Sequence, residues 1–494
     1  MKNKVIDKLF LPLNLLIILL GLVLRFRAFL TGRSLWLDEA MLALNILNRS
    51  FGGLFQQPME YGQSSPIGYV VSVKAFTLIL GNSEYALRFY SLLAGCLALI
   101  LMAVISKDIL GKTGSLIALT LFAFNPQLIY YTSETKQYIS DVVMTIILLW
   151  LLQRQLKIQA TCRDFVLLGL AGTLILWFSH PIVFVAGGVG ITLFIHYWKN
   201  NDRERLLATS LCGLAWGASL IVLYFVNLRH LASSDLLLGY WQEGFLELSM
   251  QWFASTWKGY LDIPLATGAN AVVVFFLFVI GLVFLFKKNW QIGTAIILTL
   301  TLALVASALH KYSLLGRMVL FTAPFFALAA SAGMEGIASL FKSKHLALTV
   351  QLLLAIYLIW APFGVSVDEF LHPKFREDIR PTLEYLRDYK KDNDVIYVYY
   401  NAGPAFRFYA PKLHLDDSNY IIGNDHSSDP SAYYDELEKL SGEKRVWLLF
   451  SHVYEKDDFN EMDYILSDAN QIGKKIREFR VSGTSVYLYL YTFQ

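Results

Sequence analysis

Eleven apolar runs, most of them near the length of a bilayer crossing, constrain this chain more than any other feature. They lie at 9–28, 85–105, 115–131, 141–152, 165–179, 182–198, 206–226, 271–286, 292–309, 318–340 and 346–363. Lipid offers no hydrogen-bond partner to a peptide group, so runs of this kind must close their backbone bonds internally as helices. The sequence therefore predicts a polytopic α-helical membrane protein of about 11–13 transmembrane helices. Only 16% of its 494 residues are charged and the mean hydropathy is +0.47, against roughly 25% charged residues in soluble domains.

The run 66–80 is apolar enough to cross but carries Lys74 at its middle. A central lysine costs about 2.5–3.5 kcal/mol on insertion scales, and a full crossing here would invert the charge alternation downstream. It reads as a short, tilted or re-entrant element. The first run is too long for a signal-peptide core and lacks a small-x-small cleavage site, so it reads as a retained span. Cys96, Cys162 and Cys212 fall in or beside apolar stretches without metal-ligand spacing and read as small hydrophobes.

Basic clusters mark every second connection: Lys2, Lys4 and Lys8, then 107–112, 154–163, 199–205, Lys287-Lys288 and 342–344. The positive-inside rule places these in the cytoplasm of a cell (inner) membrane. Asp38-Glu39, the segment 134–141, His180, the loop 227–267, the segment 310–317 and the tail after 364 then share the non-cytoplasmic face. The net charge of +3 gives no reason to expect nucleic acid as a partner. After 364 the charge density rises. Strand-like runs at 395–400, 445–450 and 486–491 alternate with helical patterns at 381–390 and 432–440. The expected organisation is a membrane domain, 1–363, whose first outer loop is 29–65, and a small extracytoplasmic α/β domain, 364–494.

Three polar clusters on the non-cytoplasmic side could carry chemistry. The first is Asp38-Glu39 within Trp36-Leu37-Asp38-Glu39-Ala40. Asp38 fits a general base at the membrane surface with Glu39 as an orienting or metal-binding neighbour. It fits equally well as the N-cap of a helix 39–47. Met41, Leu44 and Leu47 at helical spacing predict a helix lying in the interface under either reading. The second cluster, 125–141, holds Glu134, Lys136, Tyr138 and Asp141. Glu134 and Tyr138 at i,i+4 would share a helix face, extended one turn by Asp141. This is a wall of a polar cavity or an ordinary solvated loop with an aromatic belt. The third, His310 to Arg317, puts Lys311, Tyr312 and Arg317 on the side that the positive-inside rule leaves poor in cations. A phosphate ligand accounts for them, since arginine grips phosphate through two parallel hydrogen bonds; snorkelling to lipid headgroups is the alternative. His180, ahead of Pro181, could bind a sugar or a metal, or be a satisfied polar group.

These clusters in this order resemble the GT-C superfamily of membrane glycosyltransferases, and most closely the bacterial relatives of the protein O-mannosyltransferases and of the lipid A aminoarabinose transferase. The landmarks are Trp36-Leu37-Asp38-Glu39, Ser64-Ser65-Pro66-Ile67-Gly68-Tyr69, the motif 82–88, Ser133-Glu134-Thr135-Lys136-Gln137-Tyr138 and Gly316-Arg317-Met318-Val319. The likeness covers about 9–330 and fades in the tail. It implies the GT-C fold and an inverting transfer of sugar from a polyprenyl-phosphate donor to a hydroxyl on a lipid, glycan or protein. By the same resemblance Asp38 is the base, Asp141 a second acidic position and Arg317 a holder of the donor phosphate. From the clusters themselves, Glu134, Tyr138, Tyr312 and His180 are the candidates to line the substrate site. Two departures stand out. Ser64-Ser65 replaces an acid-lysine pair before the proline of the aminoarabinose transferases, and Lys136 stands where many relatives have arginine. Lys136 and Lys311 are therefore further candidates for the phosphate. No nucleotide-binding glycine loop is present, and the donor brings its own leaving group. No cofactor is required by the pattern, and a divalent metal ion is left open. A transporter or flippase of lipid-linked saccharides is the rival, since it would use the same cationic grip without a base.

Overall fold

The computed structural model describes residues 4–157, 160–229, 239, 241–262, 264–417, 419–456 and 459–493. Its contacts group into two compact units, residues 1–31 with 49–372, and residues 32–48 with 373–494. The sequence assigned the whole loop 29–65 to the membrane domain; by contacts, the stretch that carries Asp38 belongs with the tail.

In the first unit, nine helices among the described residues are long and apolar enough to cross a membrane: Lys8–Leu30, Glu84–Ile109, Tyr138–Lys157, Ile182–Lys199, Arg203–Asn227, Ala271–Lys288, Trp290–Ala308, Gly316–Ala338 and Lys344–Leu371. Shorter apolar helices occupy Ile67–Leu80 and Lys112–Ala123, and another spans Cys162–Ile175. The protein is thus a polytopic helical membrane protein with a small C-terminal sheet unit. The Ile67–Leu80 helix has 14 residues, about 21 Å at 1.5 Å per residue, which is less than a bilayer core. Lys74 is buried in it, its ammonium 6.0 Å from the Phe51 ring centre.

One expected span is two helices. The run 115–131 breaks after Lys112–Ala123, and a short helix Pro126–Tyr131 follows. Pro126 has no N–H to continue the ladder. Asn125 caps the new helix by accepting from the Leu128 amide at 2.9 Å, and its side-chain amide donates to the carbonyls of Pro264 and Leu265.

The basic turns converge on one end of these helices. There Lys157 pairs with Asp108, Glu335 accepts from the Gly111 amide and from Lys288, and Arg205 donates to the Ala160 carbonyl. The helix Tyr138–Lys157 runs from this end to the other, where Tyr138 and Asp141 stand. The polar clusters of the membrane unit therefore collect opposite the basic turns.

The second unit is built on a five-stranded mixed sheet. Its strands are β1 (Val395–Val398), β2 (Tyr420–Ile422), β3 (Val446–Ser451), β6 (Gly473–Arg480) and β7 (Val486–Phe493), in the order β2-β1-β3-β7-β6. A two-residue hairpin of β4 (Glu455–Lys456) and β5 (Phe459–Asn460) stands apart from it. Strands β1, β2 and β3 run parallel, while β7 is antiparallel to both β3 and β6. Strands β1 and β3 are buried along their whole length, as expected for strands covered on both faces. The strand runs near 395, 445 and 486 and the helices Ile379–Tyr389 and Ala432–Glu438 match the sequence pattern. Strands β2 and β6 and the helices Gly403–Tyr409 and Glu461–Ile472 have no counterpart in it.

Candidate active site

Asp38 and Glu39 lie in the first turn of the helix Leu37–Asn48. Asp38 is therefore inside the helix, not its N-cap. The helix does not have the one-sided exposure of an interfacial helix either. Leu42, Ala43 and Ile46 are completely buried, as is Glu39, and the helix packs on Gly403–Tyr409 of the same unit. Asp38 itself is half-buried.

Its approach is fixed residue by residue. The Ser34 amide and hydroxyl both donate to the Asp378 carboxylate. The Leu35 amide donates to the Tyr409 hydroxyl at 2.9 Å, and the Leu37 amide to Glu377 Oε2 at 3.1 Å. Arg380 reaches the Gly32 carbonyl at 3.0 Å. The Trp36 ring has the Arg376 guanidinium 5.1 Å away and the His452 ring 6.3 Å away. None of these tail residues was singled out from the sequence. For Arg376, Glu377, Asp378 and Arg380 the only signal there is charge in a segment without periodicity, 372–380, and Tyr409 and His452 carry none.

In the membrane unit the segment 132–137 is not helical, and the helix begins at Tyr138. Glu134 and Tyr138 therefore do not share a helix face as expected. Nor is the segment a solvated loop. Thr132 to Asp141 are all buried, with Glu134, Thr135 and Ser140 at 0% exposure. Burying so many polar groups is costly unless they are bonded, and neighbouring loops and helices supply partners. Lys136 donates to Gln63 Oε1 at 2.6 Å, Ser65 to Gln137 at 3.3 Å and Ser91 to the Glu134 carbonyl at 2.8 Å. Ser140 donates to the Phe178 carbonyl. Ser65, from the departing Ser64-Ser65 pair, is thus part of this wall. Gln63, Ser91 and Ser140 were not singled out: Gln63 lies in a short polar loop, Ser91 and Ser140 lie within helices, and none of these settings carries a motif.

Arg317 opens a 3-10 turn, Gly316–Thr322, reached through Gly316 at φ +55°. Its guanidinium is 5.4 Å from the Tyr138 ring centre and 5.8 Å from that of Trp241. Cation–π contacts of this kind orient arginine, whose planar N–H fork suits an oxyanion. Tyr131 lies within electrostatic reach of Glu134, Tyr138 and Arg317. Tyr312 donates to the Met318 carbonyl at 2.6 Å; burial, with the nearby Asp141 and Tyr138, pushes its phenol well above the usual range. Arg317, Tyr138, Tyr312, Asp141 and Glu134 are therefore one neighbourhood, while Lys311 is exposed outside it. Asp141 Oδ1 is buried with no donor. His180 meets Asn227 at 3.2 Å. Loss of hydration lowers its pKa to about 4, with the Asn227 bond acting the other way, so the ring is neutral at physiological pH. Among the described residues no three His, Cys, Asp or Glu side chains gather as a metal site.

Residues 64–228 match the model of the dolichyl-phosphate-mannose-protein mannosyltransferase family. The whole architecture is similar to ArnT from Cupriavidus metallidurans in the apo state, with 12% identity, 96% of this chain and 97% of that chain covered, and a TM-score of 0.56. ArnT bound to undecaprenyl phosphate is similar over the same shares, at 11% identity and a TM-score of 0.51. The Archaeoglobus fulgidus oligosaccharyltransferase AglB, in complex with an inhibitory peptide and a dolichol-phosphate, matches at 13% identity over 96% of this chain and 74% of that one, with a TM-score of 0.51. No curated protein matches the chain. The fold is the one these solved structures share, and the match to the mannosyltransferase family model is confined to residues 64–228.

Proposed function

We infer that this protein transfers a sugar from a polyprenyl-phosphate-linked donor to a hydroxyl acceptor, a lipid, glycan or protein, on the non-cytoplasmic face of a cell membrane. The observation that carries this reading is Arg317, oriented by Tyr138 and Trp241 over a buried polar wall at the end of the helices opposite the basic turns. A guanidinium so placed suits a phosphate at the bilayer surface. The family description names a dolichyl-phosphate sugar, and one ArnT structure holds undecaprenyl phosphate, which supports a polyprenyl-phosphate donor here.

In the reaction, Asp38 takes the proton of the acceptor hydroxyl as its oxygen attacks the anomeric carbon. The bond from that carbon to the phosphate oxygen breaks, and polyprenyl phosphate leaves with the bonding pair. Arg317, aided by Lys136, offsets the charge that grows on the departing phosphate. One displacement inverts the anomeric centre. Neutral His180 and the phenols of Tyr138 and Tyr312 suit sugar hydroxyls, with Glu134 and Asp141 as acceptors.

The test is transfer in lipid-reconstituted full-length protein. A panel of radiolabelled polyprenyl-phosphate sugars is supplied with membrane extract, and wild type is compared with Asp38→Asn, with and without EDTA. Transfer that vanishes in Asp38→Asn supports the reading, and the EDTA arm decides the metal requirement. Labelled lipid that crosses the bilayer equally in both proteins, with no donor consumed, would identify a transporter instead.

A further inference from the structure

We propose that Glu377, backed by His452, is the positioning residue for Asp38, so that the C-terminal unit sets the place of the base. This inference rests on the reading of Asp38 as a base.

The argument begins at the helix Leu37–Asn48. The first amides of a helix have no internal partner. Here the Leu37 amide, one residue before Asp38, donates to Glu377 Oε2 at 3.1 Å. A carboxylate at this position also suits the positive end of the helix dipole. Glu377 is held in turn: its Oε1 meets His452 Nδ1 at 2.8 Å. Its side chain is 4% exposed, against 37% for His452. His452 follows directly on β3 and takes φ +52°, a backbone conformation that few non-glycine residues adopt. The chain of support therefore runs from a buried central strand through a strained histidine and a buried carboxylate to the turn that bears Asp38. The neighbouring contacts from Asp378, Tyr409 and Arg380 fix residues 32–35. Glu377 alone among them reaches the residue adjoining Asp38. Misplacement of a reacting group by about 1 Å costs on the order of 10²-fold in rate, so a group that fixes Asp38 acts on turnover and not on donor affinity.

The experiment uses the full-length protein in lipid nanodiscs. Hydrogen–deuterium exchange is followed in the peptide covering 34–42 and in β1 and β3. The donor panel above gives kcat and KM. Glu377→Ala is expected to raise exchange in 34–42 with β1 and β3 unchanged, and to lower kcat by roughly 10- to 100-fold with donor KM within about twofold. Glu377→Gln, which keeps an acceptor for the Leu37 amide, is expected to restore kcat to within about threefold. Unchanged exchange in 34–42, wild-type kcat in Glu377→Ala, or exchange that rises equally through β1 and β3 would each overturn the proposal. Asp38→Asn is measured beside them. Activity retained in Asp38→Asn sinks the base itself. Activity lost there but kept in Glu377→Ala sinks only the positioning role. Should no sugar of the panel be transferred, the exchange experiment alone decides whether Glu377 holds the helix.

Discussion

The Arg317 guanidinium lies 5.4 Å from the centre of the Tyr138 ring, with the Trp241 ring 5.8 Å away. Two aromatic rings thus pack near one guanidinium. Because a lysine ammonium has neither the plane nor the paired donors, Arg317→Lys should raise donor KM about tenfold or more. Tyr138→Leu should have a smaller effect, since Trp241 remains. Donor-binding isotherms on the two variants and wild type check this, and equal affinities would remove Arg317 from phosphate binding.

Asp141 is 4% exposed and its Oδ1 has no hydrogen-bond donor. A buried, incompletely bonded carboxylate weakens the fold unless function requires it. Asp141→Leu is expected to leave thermal stability equal or higher while lowering transfer at least tenfold. A variant that melts early yet stays active would make Asp141 structural.

His180 carries a pKa of about 4 against an ordinary 6.5. The folded state thus prefers the neutral ring, while the unfolded state takes up a proton below about pH 6.5. Stability from this residue is complete above pH 6.5 and is lost progressively as the pH falls toward 4. Melting curves at pH 5 and 7.5 should show a larger drop for wild type than for His180→Gln. Identical drops would contradict the depressed value.

Asp394, 1% exposed, accepts from Arg445 Nε and Trp447 Nε1, both at 2.7 Å, and from the Lys391 amide at 3.0 Å. Burial pushes its pKa up most strongly, but these bonds together outweigh it and the net shift is downward. Its contribution is present above the unfolded value near pH 3.9 and fades as the pH falls through the lower folded value. Asp394→Ala strands the Trp447 indole and the half-buried guanidinium, and should cost about 2–3 kcal/mol. Denaturant titration of the full-length protein, read by tail-domain tryptophan fluorescence, measures it.

A methyl group at Gly281 would lie 1.7 Å from the Ala329 carbonyl oxygen, and one at Gly333 would lie 2.2 Å from that of Leu277. The helices Ala271–Lys288 and Ala323–Ala338 approach this closely only because both positions are glycine. Gly281→Val should force them apart and destabilise the membrane unit by about 1–3 kcal/mol. Unchanged melting in lipid would show that the pair can shift freely.

Much of this protein is written locally. The apolar runs located the long helices, and the central Lys74 marked the one apolar element that proves too short for an ordinary crossing. The basic turns that alternate along the chain gather at one end of the helices, bound there through Asp108 and Glu335. The GT-C likeness was legible because its motifs sit at helix ends, where each is a short continuous string. Segment 132–137 left two readings open for a related reason. Its polar residues suit a solvated loop or a cavity wall in sequence, and Gln63, Ser65 and Ser91 from other elements help make their burial tolerable.

Hydrophobic period and charge alternation are properties of neighbouring residues, so the sequence by itself determined the class of protein, its run of helices and the α/β character of its tail. It could not assign the Asp38 helix to a unit. Ser34 finds its partner Asp378 344 residues away, and no local pattern encodes a hydrogen bond across that separation. Tertiary structure decided it, because the amides before Asp38 had to find acceptors and the tail provides them.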